Sequence, residues 1–471
     1  MRKGLIFILF GLFFTSILCG QDMELKNNVL LFEDYLELVK KFHPVAKQAY
    51  LIEKKGDANL LKSRGGFDPK VEVDFNQKVF KDTEYYNLLN ATFKVPTWYG
   101  VELKAQFEEN AGYYLNPQNN VPENGLYAAG ISVSLAQGLW INERMATLKQ
   151  ARVYQQQLEA DQDLAINQII FEAATAYFDW IKAYNQVNLY ENFLENAEIR
   201  FSGIKSSALA GAIPLIDTTE AKISVQNRQL SLQGVQLDYQ KSRLELANYL
   251  WLNDNIPVEL QQDIKPEENL RNVVEQALKI ESILAEGFET SEHPKIKSLD
   301  FKIQGLDIER RLKSNKLLPT LDVDYNFITS TPELANSFQV PNYKAGLTFK
   351  MPLFLRKERG DLALSQLKVQ DANFELDNAK IQLQNKITAV YVELSTLIQQ
   401  NNLVEEVVIN YETMLKAEER KYQVGESSIF LINTRETNLI EARLKAIEIT
   451  NKLYTAKAKL FNTLAIDPTD L

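Results

Sequence analysis

Two long spans of the chain, residues 123–213 and 353–467, contain no proline. Proline interrupts helices, so each span is free to form one helix of unusual length. Apolar residues recur there at alternating steps of four and three, the spacing of a coiled-coil seam. In the second span the row begins with Leu383, Ile387, Val390, Leu394 and Leu397. We predict helices over about 142–210 and 358–423, each on the order of 100 Å long at 1.5 Å per residue.

The chain contains one structural unit twice. His43 and His293, each followed by proline, are 250 residues apart, and so are the similar stretches FDPKVEVDFN, which begins at Phe67, and LLPTLDVDYNF, which begins at Leu317. Further along, equivalent positions are only 214 to 216 residues apart. This difference places about 34 extra residues in the strand region of the first copy. Each copy is predicted to contain a short helix, strands, a very long helix, a glycine turn and a long helix.

These repeats predict the division of the mature chain. The first repeat covers residues 21–250 and the second 292–471, and a polar, acidic connector of short helices spans 251–291. Within the repeats, the predicted strands and helical hairpins lie at about 67–137 and 140–250 in the first, and at about 319–351 and 357–463 in the second.

Residues 1–20 have a basic start, a long apolar core and small residues before Gln21. This pattern predicts a secretory signal peptide that is cleaved after Gly20. The one cysteine, Cys19, lies inside it, and lipidation there is the alternative, although Leu18 stands where lipidation needs a small residue. The mature chain therefore has no disulfide, no thiolate metal site and no cysteine nucleophile.

The predicted strands alternate apolar and polar residues. Val71, Val73 and Phe75, for example, are separated by polar side chains. Such strands suit either a half-buried soluble sheet or a lipid-facing barrel. Aromatic residues cluster near the strand ends, and the export signal favours girdles at a membrane interface over packing in a soluble sheet. A mean hydropathy of -0.25, without an internal apolar run of about 20 residues, excludes an α-helical membrane bundle.

The sequence carries no pattern that predicts catalysis. Its two histidines both precede proline at equivalent positions, which indicates a role at helix ends. It has no nucleophile elbow, phosphate loop or dinucleotide fingerprint, and no His/Asp/Glu cluster with ligand spacing. A net charge of -10 without a basic cluster argues against nucleic-acid binding. We therefore predict no enzyme, no cofactor and no metal site.

The two glycine turns connect the long helices. Gly211 and Gly425 stand where a helix ends in a left-handed residue. Pro214 is expected in the first turn of the returning helix, with Asp217 beside it where a carboxylate favours the helix dipole. We expect Ser427 or Ser428 to cap the second returning helix.

Both turns are predicted at the same end of the molecule, about 100 Å from the strands. They either serve only to build stable hairpins or also form a gate or docking surface. The candidate tip residues are Gly211, Pro214, Asp217, Tyr422, Gly425, Glu426, Ser427, Ser428, Leu431 and Thr434.

Taken together, these features resemble the TolC family of outer-membrane efflux and export channels. The resemblance covers essentially the whole mature chain and rests on the duplicated unit, the two His-Pro pairs, the strand-to-helix joins and the tip sequence YxxG that ends at Gly425. The candidate join residues are Gly138, Trp140, Pro352 and Phe354. The resemblance implies a mainly α fold with membrane strands. Three chains would form one β-barrel in the outer membrane and a hollow coiled-coil α-barrel in the periplasm.

The resemblance also implies a function. The chain would be the passive exit duct of a tripartite efflux pump or a type I secretion system in a Gram-negative bacterium, for small molecules or polypeptides. Its implied partners are two further copies in a homotrimer, outer-membrane lipid, a periplasmic adaptor at the tips and, indirectly, an inner-membrane pump of the RND or ABC type. The alternative is a soluble periplasmic coiled-coil scaffold or adaptor, although adaptors usually carry one hairpin beside compact β-domains.

The sequence departs from the family in two places. Family members often narrow the entrance with aspartates after the second tip glycine, where this chain has Leu431 and Thr434. Asp217 either replaces them or is simply a helix-start residue. The first copy also has an additional strand pair, at about 86–95 and 99–108. The family has four strands per subunit, so a trimer would have twelve, or eighteen with this pair. We expect twelve, because the barrel has to match a twelve-helix tube.

Overall fold

The computed structural model describes residues 28–268, 270–278, 289–333 and 337–466. The predicted signal peptide, with Cys19, lies outside them. The described helices are α1 (Phe32–Phe42), α2 (Pro44–Arg64), α3 (Glu143–Leu209), α4 (Leu215–Ala247), α5 (Leu270–Ala277), α6 (Pro294–Asn315), α7 (Arg356–Gln423) and α8 (Ile429–Leu464). The described strands are β1 (Val29–Leu30), β2 (Lys70–Phe80), β3 (Thr83–Pro96), β4 (Val101–Ala111), β5 (Leu126–Ser134), β6 (Trp251–Leu252), β7 (Ile256–Pro257), β8 (Lys265–Pro266), β9 (Thr320–Thr329) and β10 (Tyr343–Lys350).

Two helices run the length of the helical part. They are α3, with 67 residues, and α7, with 68, so each is about 100 Å long. In the half nearest the strands, neighbouring helices pack in the order α2, α3, α6, α7. In the other half, α4 and α8 take the places of α2 and α6. The helices therefore form a layer four helices wide at both levels.

The main core lies where these two halves meet, near the middle of α3. Its largest fully buried side chains include Phe32, Tyr35, Tyr177, Trp180 and Phe461. The rings of Phe32 and Tyr177 lie 5.2 Å apart, and the Tyr35 hydroxyl donates to the Ala173 carbonyl at 3.1 Å. Because both repeats and the connector supply residues to this cluster, it fixes the two halves of the molecule to each other.

The two histidines cap helices, so their predicted role at helix ends is confirmed. The Nδ1 atoms of His43 and His293 accept hydrogen bonds from the amides of Val45 at 3.2 Å and Lys295 at 3.0 Å. A ring whose Nδ1 accepts must be unprotonated at that atom. Nε2 of His293 lies 3.2 Å from the Thr463 carbonyl, so its proton is donated there.

Six strands form one antiparallel sheet in the order β10-β9-β5-β4-β3-β2. The additional pair seen in the sequence forms β3 and β4, and these lie inside the sheet between β2 and β5. The expectation of four wall strands per chain is therefore wrong for this sheet. Both outer edges of the pair are hydrogen-bonded by neighbouring strands, β3 by β2 and residues 101–108 of β4 by β5.

Acid should destabilise the protein through His293. The pKa of His293 is lowered from 6.5 to about 4: burial is the largest cause, Lys386 and Lys295 also lower the pKa, and the hydrogen bond to the Thr463 carbonyl raises it. The folded state therefore binds fewer protons than the unfolded state. The stability that the neutral ring provides is complete above pH 6.5 and is lost as the pH falls towards 4, by about 2 kcal/mol at pH 5.

Thermal unfolding of the detergent-solubilised protein, followed by helical circular dichroism at pH 7.5 and pH 5, measures this loss. His293→Asn is the control, because an asparagine oxygen still caps the helix but does not titrate. Its loss between the two pH values should be smaller than that of the wild type. Equal losses would show that His293 does not carry the effect.

Candidate functional site

The sheet has one continuous apolar face. One row crosses all six strands, with each residue directly opposite the next: Val71, Phe93, Ala105, Ala129, Phe327 and Tyr343. On the edge strand β2, the side chains of Val71, Val73 and Phe75 are 59 to 72% exposed. Apolar surface of this extent on a protein marks contact with a membrane or a partner.

The opposite face is polar and its charges pair across strands. Lys104 Nζ lies 2.8 Å from Asp324 Oδ1, and Lys344 Nζ lies 2.9 Å from Glu108 Oε1. The Ser134 hydroxyl donates to Asp322 at 2.6 Å. A sheet with one apolar and one charged face can separate lipid from water.

Exposed aromatic residues stand at both ends of the strands. Tyr113 and Tyr114 lie at the end away from the helices, and Tyr99, Trp140 and Phe354 at the helical end. An eleven-residue strand spans about 36 Å, or about 28 Å of membrane at a tilt of 40°, close to the apolar band of outer-membrane barrels. This arrangement is typical of interfacial aromatic girdles.

The first strand-to-helix join makes its sharp turn without proline. Gly138 has φ +97°, and its amide donates to Asn315 Oδ1 at 3.0 Å. Asn142 caps α3, because its Oδ1 accepts from the Met145 amide at 2.8 Å. The same side chain donates to the carbonyls of Gly138, at 3.3 Å, and Trp98, at 3.2 Å. Trp98 belongs to the turn between β3 and β4, so the additional hairpin helps to hold this join.

The second join does contain proline. Pro352 follows the end of β10, and Leu355, with φ +50°, reverses the backbone just before α7. The Arg356 guanidinium lies over the Phe354 ring, 5.1 Å from its centroid. The candidate join residues Pro352 and Phe354, like Gly138 and Trp140, therefore lie at the helical rim of the sheet.

The first tip is close to its predicted form. Gly211 has φ +75° just after α3 ends. Pro214 is the N-cap residue of α4, one position earlier than the predicted first turn, because the helix begins at Leu215. The Asp217 amide donates to the Pro214 carbonyl at 3.2 Å, and Asp217 lies in the first turn of α4 as predicted.

The second tip ends α7 with Gly425, whose φ is +79° and whose amide donates to the Tyr422 carbonyl at 3.0 Å. Ser428 caps α8. Ser427 instead donates to Glu418 at 2.6 Å and is the largest of the causes that lower the pKa of that carboxyl.

Other candidate residues of the second tip serve local structure. The Glu426 amide donates to the Lys421 carbonyl at 2.8 Å, which closes the turn. The Thr434 hydroxyl donates back to the Phe430 carbonyl at 2.8 Å, within α8. Leu431 is 38% exposed, so an apolar side chain stands at this position of the tip.

The two tips lie side by side, at the same end of the molecule. Ile204 and Ala221 of the first hairpin pack against Ile429 of the second. Asn433 of α8 donates to Glu220 of α4 at 3.5 Å. The two hairpins therefore present one joint surface at the end of the chain farthest from the sheet.

A buried ion cluster, which the sequence analysis missed, clamps the hairpins near the tips. Glu436 of α8 is 1% exposed and accepts hydrogen bonds from Arg200 of α3 at 3.0 and 3.2 Å. Arg228 of α4 lies 3.6 Å from it. We call these three residues the Glu436 clamp. A signal was present, because Glu436 interrupts the apolar row that runs through Ile432 and Leu439.

The part of the chain that the structure describes holds no group of three or more His, Cys, Asp or Glu side chains that could bind a metal ion. Within the same ranges, none of the helices combines the length and apolar character needed to cross a membrane.

Comparisons with known proteins agree with this geometry. Residues 290–465 match the sequence family described as outer membrane efflux protein. Among curated protein sequences, none matches this chain. Solved structures with the same fold include the CmeC outer membrane channel of Campylobacter jejuni, at 13% identity and a TM-score of 0.64 over 92% of this chain and 84% of that one.

Two further structures share the fold. The outer membrane protein VceC of Vibrio cholerae is 14% identical, with a TM-score of 0.64 over 92% of this chain and 95% of that one. The MtrE outer membrane channel of Neisseria gonorrhoeae, in its open state, is 13% identical, with a TM-score of 0.64 over 92% of this chain and 88% of that one. Residues 290–465 thus carry an outer membrane efflux protein domain, which agrees with the expected resemblance, and nearly the whole chain shares the fold of these outer membrane proteins.

Proposed function

We propose that three copies of this chain form a channel in the outer membrane of a Gram-negative bacterium, with their helices in the periplasm. The channel is the passive exit duct of a tripartite efflux pump or type I secretion system. The observation that carries the proposal is the curved sheet with one apolar and one charged face and two open edges. Such a sheet is stable in lipid only when its edges are closed.

The open edges are β2 and β10, which bound the sheet on its two sides. Within one chain, every residue of β2 is exposed. Pairing of β2 with β10 of a second copy satisfies the backbone groups of both edges. Repeating the same contact around an axis closes a ring and leaves no edge.

The outer helices of the layer carry matching apolar surface. In the half nearest the tips these are α4 and α7. Exposed apolar residues recur on α4 at every seventh position: Ile216, Ile223, Leu230, Leu237 and Leu244. A seven-residue spacing is that of a coiled-coil seam. On α7 the exposed apolar residues include Val392, Leu403 and Ile409. We assign the α4 seam to α7 of a second copy, which closes the helices into a tube below the barrel.

The joint tip surface is the proposed docking site for a periplasmic adaptor, which connects the duct to an inner-membrane pump of the RND or ABC type. Its exposed apolar side chains include Leu209, Leu215, Val424 and Phe430. The Glu436 clamp holds the two hairpins together beneath this surface. The candidate tip residues thus shape the entrance, and Asp217 supplies a carboxylate there in each copy.

Nothing in the comparisons supports the alternative, a soluble periplasmic scaffold or adaptor. Cell fractionation tests the choice directly. The channel should remain in the outer-membrane fraction after washing with salt and carbonate, and should be released only by detergent. A known soluble periplasmic protein serves as the control. Recovery of this protein in the soluble fraction without detergent would contradict the channel.

Asp217 is predicted to act at the entrance. Asp217→Ala removes three carboxylates from a narrow ring of the trimer, so the cation preference should fall, by roughly twofold in permeability ratio, because charged rings set the selectivity of a pore. Single-channel recording in planar bilayers measures the ratio.

The control for this variant is Asp238→Asn, an exposed carboxylate about 30 Å further along the same helix. It should leave the ratio close to that of the wild type. Unchanged selectivity and conductance in Asp217→Ala would reduce Asp217 to a helix-start residue.

A further inference from the structure

The hairpin formed by β3 and β4 is integral to the sheet. Strand β3 pairs with β2 from Lys70 opposite Lys94 to Phe80 opposite Thr83. Strand β4 pairs with β5 from Val101 opposite Val133 to Glu108 opposite Leu126. The hairpin therefore lies between the first and last strands of the first repeat, and the sheet cannot lose it without pairing β2 with β5 anew.

The hairpin has the two faces that a barrel wall needs. On β3, the apolar Leu89, Ala91 and Phe93 alternate with polar residues. They lie opposite Glu109, Phe107 and Ala105 of β4, and Phe93 and Ala105 continue the apolar row of the whole sheet. The polar side includes Lys104, which pairs with Asp324 of β9. If the hairpin folded into the water-filled lumen, its apolar face would be exposed to water.

The turn of the hairpin is anchored between two helices. The Trp98 ring stacks on Phe67 at 5.5 Å between centroids, and both pack on Leu60 of α2 and Leu148 of α3. A Cβ atom at Gly100 would lie 2.8 Å from the Gly138 carbonyl, so the turn touches the first join directly. Four of the wall strands continue into helices, whereas β3 and β4 end in this docked turn.

Perimeter also favours six strands over four. Four neighbouring helices at 8–10 Å occupy about 32–40 Å of a ring. Six strands spaced 4.8 Å apart and tilted by 40° occupy about 38 Å, whereas four occupy about 25 Å. At this tilt eighteen strands match a twelve-helix tube, whereas twelve strands reach the same width only at a steeper tilt of about 55–60°.

We propose that the trimer closes an eighteen-stranded barrel that is as wide as the helical tube below it. This inference rests on the proposed channel. At a tilt of 40° the backbone diameter is then about 36 Å, which leaves about 25 Å inside the side chains, against about 14 Å for twelve strands at the same tilt. A helix with its side chains is 10–12 Å wide. The barrel is therefore wide enough for a polypeptide with two helices side by side.

Disulfide cross-linking in isolated outer membranes tests the wall. The only cysteine of the sequence lies in the predicted signal peptide, so the mature chain offers an introduced pair of cysteines no other thiol to react with. Val71→Cys with Phe93→Cys, and Ala105→Cys with Ala129→Cys, join directly opposed residues and should both cross-link. The matched control, Val71→Cys with Ala129→Cys, uses the same row. Its residues are about 14 Å apart in a six-stranded sheet, too far for a disulfide.

Cross-linking of the control pair, with none in the two test pairs, would show that β2 pairs with β5 and would overturn the proposal. If the protein is a trimer in the outer membrane, that result leaves the proposed channel intact. Absence from the outer-membrane fraction would instead overturn the channel itself.

Polymer exclusion gives an independent measure of the bore. Polyethylene glycols of graded size, added only to the outer side of a planar bilayer, enter the barrel without meeting the tip and lower the conductance. Polymers up to about 25 Å in diameter should do so, because the bore inside the side chains is that wide. A cut-off near 14 Å would contradict eighteen strands.

Discussion

The architecture depends on one constraint, that backbone hydrogen-bonding groups in lipid must all be paired. The six-stranded sheet satisfies this internally except at β2 and β10. An open edge in lipid costs several kcal/mol per unsatisfied group, so the chain cannot function alone in a membrane. In the proposed trimer, closure with further copies removes the cost and encloses the charged face around water. The same proposed closure brings the α4 seam against a neighbouring helix.

The joins between sheet and helices show two solutions to one problem. In the second repeat, Pro352 ends the strand and Leu355 turns the backbone. In the first repeat, Gly138 makes the turn, and Asn142 binds both the join and the turn of the additional hairpin. The inserted hairpin thus replaces the proline as the element that fixes the direction in which the helix starts.

Local sequence predicted the elements that depend on local physics. Proline-free heptads predicted α3 and α7 almost to their ends, because the periodicity of a helix can be seen in residues that are close together in the sequence. The tip glycines, a serine cap at Ser427 or Ser428 and a helix-end role for the two histidines were predicted for the same reason. Glu436 was missed, because a carboxylate on a long helix is usually solvated and only its distant arginine partners make it a buried clamp.

The sequence by itself determined the duplicated unit, the long helices, the two-faced strands and the family resemblance. Only the tertiary structure decided where the additional hairpin lies. Alternation specifies which faces a strand has but not which strands are its neighbours, since those hydrogen bonds join residues far apart in the chain. The pairing of β3 with β2 and of β4 with β5 decided the number of strands in the sheet, on which the proposed width of the exit depends.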